Sequence, residues 1–281
     1  VSTRGSPTVR RRRLGLELRR LREAAGVTIE TVANALECSS SKISRIETGH
    51  SGATPRDVRD MLAVYGITGA PADHLVEVAR EARQKGWWHL YGTVLTSAYV
   101  GLEAAASTVR AYEPQVVPGL LQIPEYARTM IRSARPTISP EDLEGRIHVR
   151  TVRQSLLSQD DPLNLWVVLD EAVFHRVVGG TPVMRAQLDR LSEAARLPHV
   201  TIQILPFAYG PHAGMDGGFS ILCYDEAADP DLVFAENAAG GLFLEKDEDL
   251  HRYHFIFDQL RDSALSPEES VEFIARRCKE L

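Results

Sequence analysis

The chain has 281 residues, 44% of them hydrophobic, and carries 32 Lys and Arg against 38 Asp and Glu, a net charge of −6. That length admits two domains, and no run of about 18 apolar residues offers a membrane span. The three cysteines, Cys38, Cys223 and Cys278, are too scattered for a disulfide framework, which fits a reducing cytoplasm. Charge is unevenly spread: residues 1–70 hold 12 basic and 7 acidic side chains, which leaves −11 for residues 71–281. A basic head of this kind suits phosphate binding, and an acidic body disfavours random adhesion to nucleic acid.

Residues 1–13, with Arg10, Arg11, Arg12 and Arg13 in a row, read as a basic flexible arm. No apolar stretch follows it, so a secretory signal is not expected. A first helix is predicted over 14–25, where Leu14, Leu18, Leu21 and Ala25 form one stripe and Gly26 stands where a C-terminal cap belongs. Thr28 is placed to cap a second helix with Val32, Ala33 and Leu36 inward; Ala33 is small enough for a close crossing. After Glu37-Cys38, Ser39 caps a third helix. Its Ile43 and Ile46 face inward, while Ser40, Ser41, Ser44 and Arg45 form an outer polar face. Thr54-Pro55-Arg56-Asp57 opens a fourth helix with a capping box and Pro at its first position. Pro71-Ala72-Asp73 opens a further helix, and 71–98 read as a connector in which Trp87 and Trp88 pack rather than stack on bases.

From residue 99 helix and strand patterns mix. Strands are predicted at 112–117, 163–169, 200–205, 219–224, 232–236 and 242–244, with Gly240-Gly241 as a hairpin turn. Helices are predicted near 101–106, 124–133, 139–157, 171–178 and 181–196, and Ser266-Pro267-Glu268-Glu269 begins a C-terminal one. The expected fold is an all-α N-terminal helix-turn-helix domain (14–70) plus an α+β C-terminal domain (99–281) with a mostly antiparallel or mixed sheet.

The stretch 18–65, with its string SSSKISRIETG, resembles the Cro/CI-type helix-turn-helix family, also called the xenobiotic-response-element family. The resemblance implies a dimeric DNA-binding regulator. It puts Ser39 on phosphate, and Ser40, Ser41 and Arg45 at base edges, with Ser44 on the same outer face. Arg45 is the one of these able to contact guanine bidentately. Lys42 and Arg56 are phosphate or minor-groove candidates, and Arg10 to Arg13 a DNA-contacting arm. Arg22 and Glu47 match positions that form an ion pair in that family. Two departures stand out. Ile29 replaces a phosphate-anchoring Gln, and Glu37 occupies a turn position that favours Gly.

The strings VVPGLLQIPEYARTMI, LDEAVFHRVVGGTPVMRAQLDRL, VTIQILPFAYGPHAGMDGGFSIL and ALSPEES resemble the C-terminal domain of actinobacterial regulators of the WhiJ kind, also termed antitoxin-like. This implies a double-stranded DNA operator, a homodimer, a cytoplasmic location, and a small protein partner encoded nearby. It implies no activity.

No nucleophile elbow, phosphate-binding glycine loop, dinucleotide fingerprint or HExxH zinc motif occurs. The body is therefore read as non-enzymatic, without cofactor or metal. Asp170-Glu171 with His175, and His251 with His254, offer two ligands each, short of a metal site. The loop His212–Gly218 is a candidate contact for a partner or ligand. A second reading makes the body a small-molecule sensor, with Trp166, Phe207, Tyr209, Phe219, Tyr224 and Phe234 lining a pocket or filling the core. A third is a DNA-tethered enzyme, which requires a cluster of ligating or catalytic groups in the body.

Overall fold

The computed structural model describes residues 7–83, 97–225, 229–238 and 240–281. They fall into two compact units. One contains the first five helices together with Val100–Ala105, and the other runs from Ala106 to the C-terminus together with 97–99. Trp87 and Trp88 lie outside the described residues.

The first unit is built from α1 (Pro7–Ala24), α2 (Ile29–Ala35), α3 (Ser40–Glu47), α4 (Pro55–Val64) and α5 (Ala70–Ala82). Thr28, Ser39 and Thr54 each accept a backbone N–H at their helix start, and Thr54 with Asp57 completes a capping box. Leu14, Leu18, Val32, Ala33, Ile43, Ile46, Val58, Met61 and Leu62 form one buried core, joined by Val76 and Ala79 of α5.

Two expectations are corrected here. Helix α1 begins at Pro7, seven residues before the predicted start, so Arg10 to Arg13 are helical and not a flexible arm. Helix α5 is part of the head core and not a connector. Burying Val76 contributes about 1.5–3 kcal/mol, which ties α5 to the rest. The close crossing also lies elsewhere than at Ala33 alone. A Cβ at Gly15 of α1 would run into the carbonyl oxygens of Ile46 and Glu47, so glycine lets α1 pass directly under the end of α3.

The second unit has a six-stranded mixed sheet. Its strands are β1 (Thr108–Glu113), β2 (Asn164–Asp170), β3 (Val200–Leu205), β4 (Phe219–Cys223), β5 (Leu232–Asn237) and β6 (Gly240–Leu244), in the order β3-β2-β1-β4-β5-β6. β1, β2 and β3 pair in parallel; β4, β5 and β6 continue antiparallel. Helix α6 (Ser97–Ala105) precedes the sheet in the chain, and only its first residues, 97–99, belong to this unit. Between β1 and β2 come α7 (Pro124–Ala134) and α8 (Pro140–Gln154), and between β2 and β3 come α9 (Ala172–His175) and α10 (Thr181–Ala194). After the sheet, α11 (Asp247–Ser263) and α12 (Pro267–Glu280) complete the chain.

β1 starts four residues before its predicted position and stops at Glu113, because Pro114 has no N–H for the ladder. The pair Asn237↔Gly240 puts Gly240 and Gly241 inside β6 instead of in the turn. Gly241 is needed there for space, because a Cβ would enter the ring of Phe234. α11 was not among the predicted elements. Its Leu250, Phe257 and Leu260 cover the sheet face bearing Tyr112, Val168, Phe219, Ile221 and Val233.

Candidate nucleic-acid interface

α3 presents Ser40, Ser41, Lys42, Ser44 and Arg45 to solvent while Ile43, Ile46 and Glu47 are buried. The face follows from helical period: the inward residues fall at i and i+3, so the intervening positions point out. Ser39 Oγ accepts from Lys42 N at 3.2 Å, which leaves the remaining N–H groups of the first turn available to an oxyanion.

Beneath that face lies a buried ion pair. Arg22 Nε donates to Glu47 Oε1 at 2.7 Å and Nη2 to Oε2 at 2.9 Å, and Nη1 donates to Val27 O at 3.0 Å. Glu47 is 2% and Arg22 8% exposed. The pair joins α1 to the last residue of α3 and fixes the tilt of the recognition helix. Burial and the Glu47 charge push the neighbouring Tyr65 phenol up.

Lys42 Nζ reaches Asp57 Oδ1 at 2.8 Å, so α3 is also tied to the cap of α4. The Lys42 ammonium is raised by this bond. Burial opposes ionisation of Asp57, but the bonds from Lys42 and Thr54 outweigh it and hold the carboxyl low. Arg56 is exposed beside Asp60 at 3.7 Å. Of the arginine run, Arg10 pairs with Glu81 at 3.5 Å, Arg11 Nε donates to Gly49 O at 2.8 Å, Arg12 is buried and Arg13 is exposed. Gly49, at φ +70°, has its Cβ direction 2.9 Å from Arg12 Cα, so this part of α1 buttresses the turn that ends α3. Glu37 does take the left-handed conformation, at φ 51°. Ile29, in place of the anchoring Gln, packs against the head core.

The body brings together groups far apart in sequence. Cys223, Asp231 and His254 have ligand atoms within 4.8 Å of one another, a donor set that could hold a metal ion. His254 was seen in the sequence; Cys223 and Asp231 were not linked to it. Asp231 already has strong partners. It accepts from Tyr224 N at 3.3 Å and lies 3.1 Å from His254 Nε2, so the cluster also works as a cap binding β4, β5 and α11. Burial beside Asp231 pushes the Cys223 thiol up to about 12, so it is a thiol and not a thiolate at neutral pH.

At the carboxyl ends of the parallel strands, Tyr112 Oη donates to Asp170 Oδ2 at 3.4 Å and His212 Nε2 stands 3.8 Å from it. Gly214 N donates to His212 Nδ1, which places the His212 proton on Nε2, facing Asp170. His175 pairs with Glu171 at 3.0 Å. The aromatic residues considered for a sensor pocket separate: Phe219 and Phe234 are buried, whereas Phe207 and Tyr209 are exposed on the loop after β3.

Residues 96–276 match the family described as a domain of unknown function, DUF5753. The chain belongs to the DUF5753 domain family. Ahead of the DUF5753 domain, residues 13–75 match a helix-turn-helix domain, which supports DNA binding and runs from within α1 to the first half of α5. No curated protein and no solved structure matches the chain. Among the described residues no helix is long and apolar enough to cross a membrane.

Proposed function

We propose that this DUF5753 protein is a sequence-specific transcriptional regulator of the Cro/CI type, with a WhiJ-like, antitoxin-like body that acts by binding and not by catalysis. The observation that carries the reading is the exposed Ser40-Ser41-Ser44-Arg45 face of α3, set on a helix whose angle is locked by the buried Arg22–Glu47 pair. In this reading α3 enters the major groove, Ser39 and the α3 N-terminus take a phosphate, and Arg45 reads guanine. Arg56 and, once it leaves Asp57, Lys42 contact backbone. A homodimer places two such helices on half-sites about one helical turn apart. The body receives a small protein partner that adjusts operator affinity.

The test is binding to the chain's own upstream DNA and to a shuffled control at two salt concentrations. Arg45→Ala is expected to weaken operator binding by about 1–3 kcal/mol and to change control binding much less. Equal losses on the two DNAs would reduce Arg45 to a phosphate contact and remove the claim of sequence reading.

A further inference from the structure

α8 carries three arginines, Arg146, Arg150 and Arg153, at i, i+4 and i+7, which puts them on one helical face. This stripe sits in the acidic part of the chain, where arginine crowding is not a by-product of overall charge. The Nε atoms of Arg146 and Arg150 are buried, with no hydrogen-bond partner among the described residues. Neither guanidinium makes an ion pair or any other polar bond there.

That is costly. A guanidinium keeps its charge at neutral pH, and a buried N–H donor left without a partner is destabilising. Buried polar groups in folded chains are satisfied as a rule, so each exception asks for an explanation. Nor do the surroundings neutralise the pair. Burial comes first, and then the like charges of Arg153 and Arg146, in pressing the Arg150 guanidinium down to about 10; Arg135 adds to this and Glu236 alone opposes it. Arg146 is pressed down by burial and by Arg135, against Asp142 and Glu236.

The backbone around the stripe is held firmly. Gln154 Nε2 donates to Gly119 O at 3.2 Å and to Gln122 O at 2.6 Å, Gln122 Nε2 to Val117 O at 2.6 Å, and Gln187 Nε2 to Leu121 O at 2.8 Å. These bonds seat the short turn Gly119–Leu121 against the arginines. A Cβ at Gly119 would lie 3.4 Å from Arg153 Nη1 and 3.6 Å from Arg150 Nε. The guanidinium of Arg153 in turn lies over the Tyr99 ring, 5.3 Å from its centroid. The arrangement is a rigid, cation-rich patch with hydrogen-bonding capacity left unused, and guanidinium groups match the oxygens of phosphate and carboxylate.

We infer that Arg146 and Arg150, with Arg153 and Arg135 beside them, form a binding site for a small molecule bearing a phosphate or carboxylate group. Occupancy of the site stands apart from the DNA reading. Its use as the entry point of a signal rests on the regulatory function proposed above.

Melting of the full chain tests occupancy. Inorganic phosphate and succinate are compared with chloride at equal ionic strength. A stabilisation of about 3 °C is expected for the matching oxyanion at tenfold its Kd, and which of the two stabilises tells phosphate from carboxylate. Arg150→Gln is expected to melt higher than wild type in chloride, because an unpaired charge is gone, and to lose the oxyanion shift; Arg146→Gln should behave alike. Three results would each overturn the site: no shift in either oxyanion, a shift that Arg150→Gln retains, or an Arg150→Gln chain that melts lower in chloride. Operator binding with and without the stabilising oxyanion then tests the signal, and unchanged affinity would end that use while leaving the site.

Discussion

Two arginines with buried Nε atoms live under opposite conditions. Arg22 in the head meets Glu47 through two charge-assisted bonds and Val27 O through a third. Arg150 in the body has its Nε sealed from solvent without a partner and faces more cations than anions. The first is a finished structural joint. The second is stable only because the rest of the body over-determines it, and that is how binding sites differ from scaffolding. The contrast separates what holds α3 in place from what the body holds in readiness.

The largest expected effect breaks the finished joint. Glu47→Ala leaves Arg22 buried and alone, and should cost the head about 3–5 kcal/mol, read by chemical denaturation. A change below 1 kcal/mol would show that the pair is dispensable. Next comes Glu113 at the end of β1, which burial first and Glu236 second push up to about 8. A carboxyl raised in the folded state keeps its proton there after the unfolded chain has lost it. The stability it brings is complete below its ordinary value of 4.5 and is lost as pH climbs through about 8. Glu113→Gln should therefore raise the melting temperature at pH 9 and leave it little changed at pH 4; an equal shift at both would disprove the assignment.

Smaller again is Glu37→Gly. The left-handed residue between α2 and α3 costs about 1–2 kcal/mol as Glu, and the glycine variant should regain part of this in melting temperature. Smallest is Lys42→Ala. Its exposed bond to Asp57 is worth less than about 1 kcal/mol, so stability should barely move. The salt dependence of DNA binding should flatten by about one ion, and an unchanged slope would leave Lys42 with its structural bond alone.

The head was largely legible because its signals are local. Ser39 and Thr54 announce helix starts, Ile43 and Ile46 announce the buried side of α3, and each needs only neighbours within a turn or two. The start of helix α1 is not legible locally, because four consecutive arginines look like a tail. What makes them helical is tertiary: Arg11 on the Gly49 carbonyl and Arg12 under the same turn. In the body the mixed sheet could be expected, but β1 was displaced because Arg110 and Glu113 interrupt its apolar alternation. α11 gives a weak local signal, because its Leu250, Phe257 and Leu260 fall on one helical side but lie among charged residues. The cluster of Cys223, Asp231 and His254 could not be read locally, since three separate elements supply it. The arginine stripe of α8 was open to view at i, i+4 and i+7. What the sequence could not show is that the Nε atoms of Arg146 and Arg150 are buried without a hydrogen-bond partner among the described residues.

The strand order has a consequence for how the chain acquires its shape. β1 lies inside the sheet, yet Thr108 pairs with Asn164 on one side and with Cys223 on the other. Such distant pairings make folding slow, whereas helices packed on sequence neighbours close quickly. A chain growing from its N-terminus would finish the five-helix unit while β1 still waited for both neighbours. During that interval the young protein would carry a finished helix-turn-helix fold without its second unit, and an unpaired strand edge open to other chains.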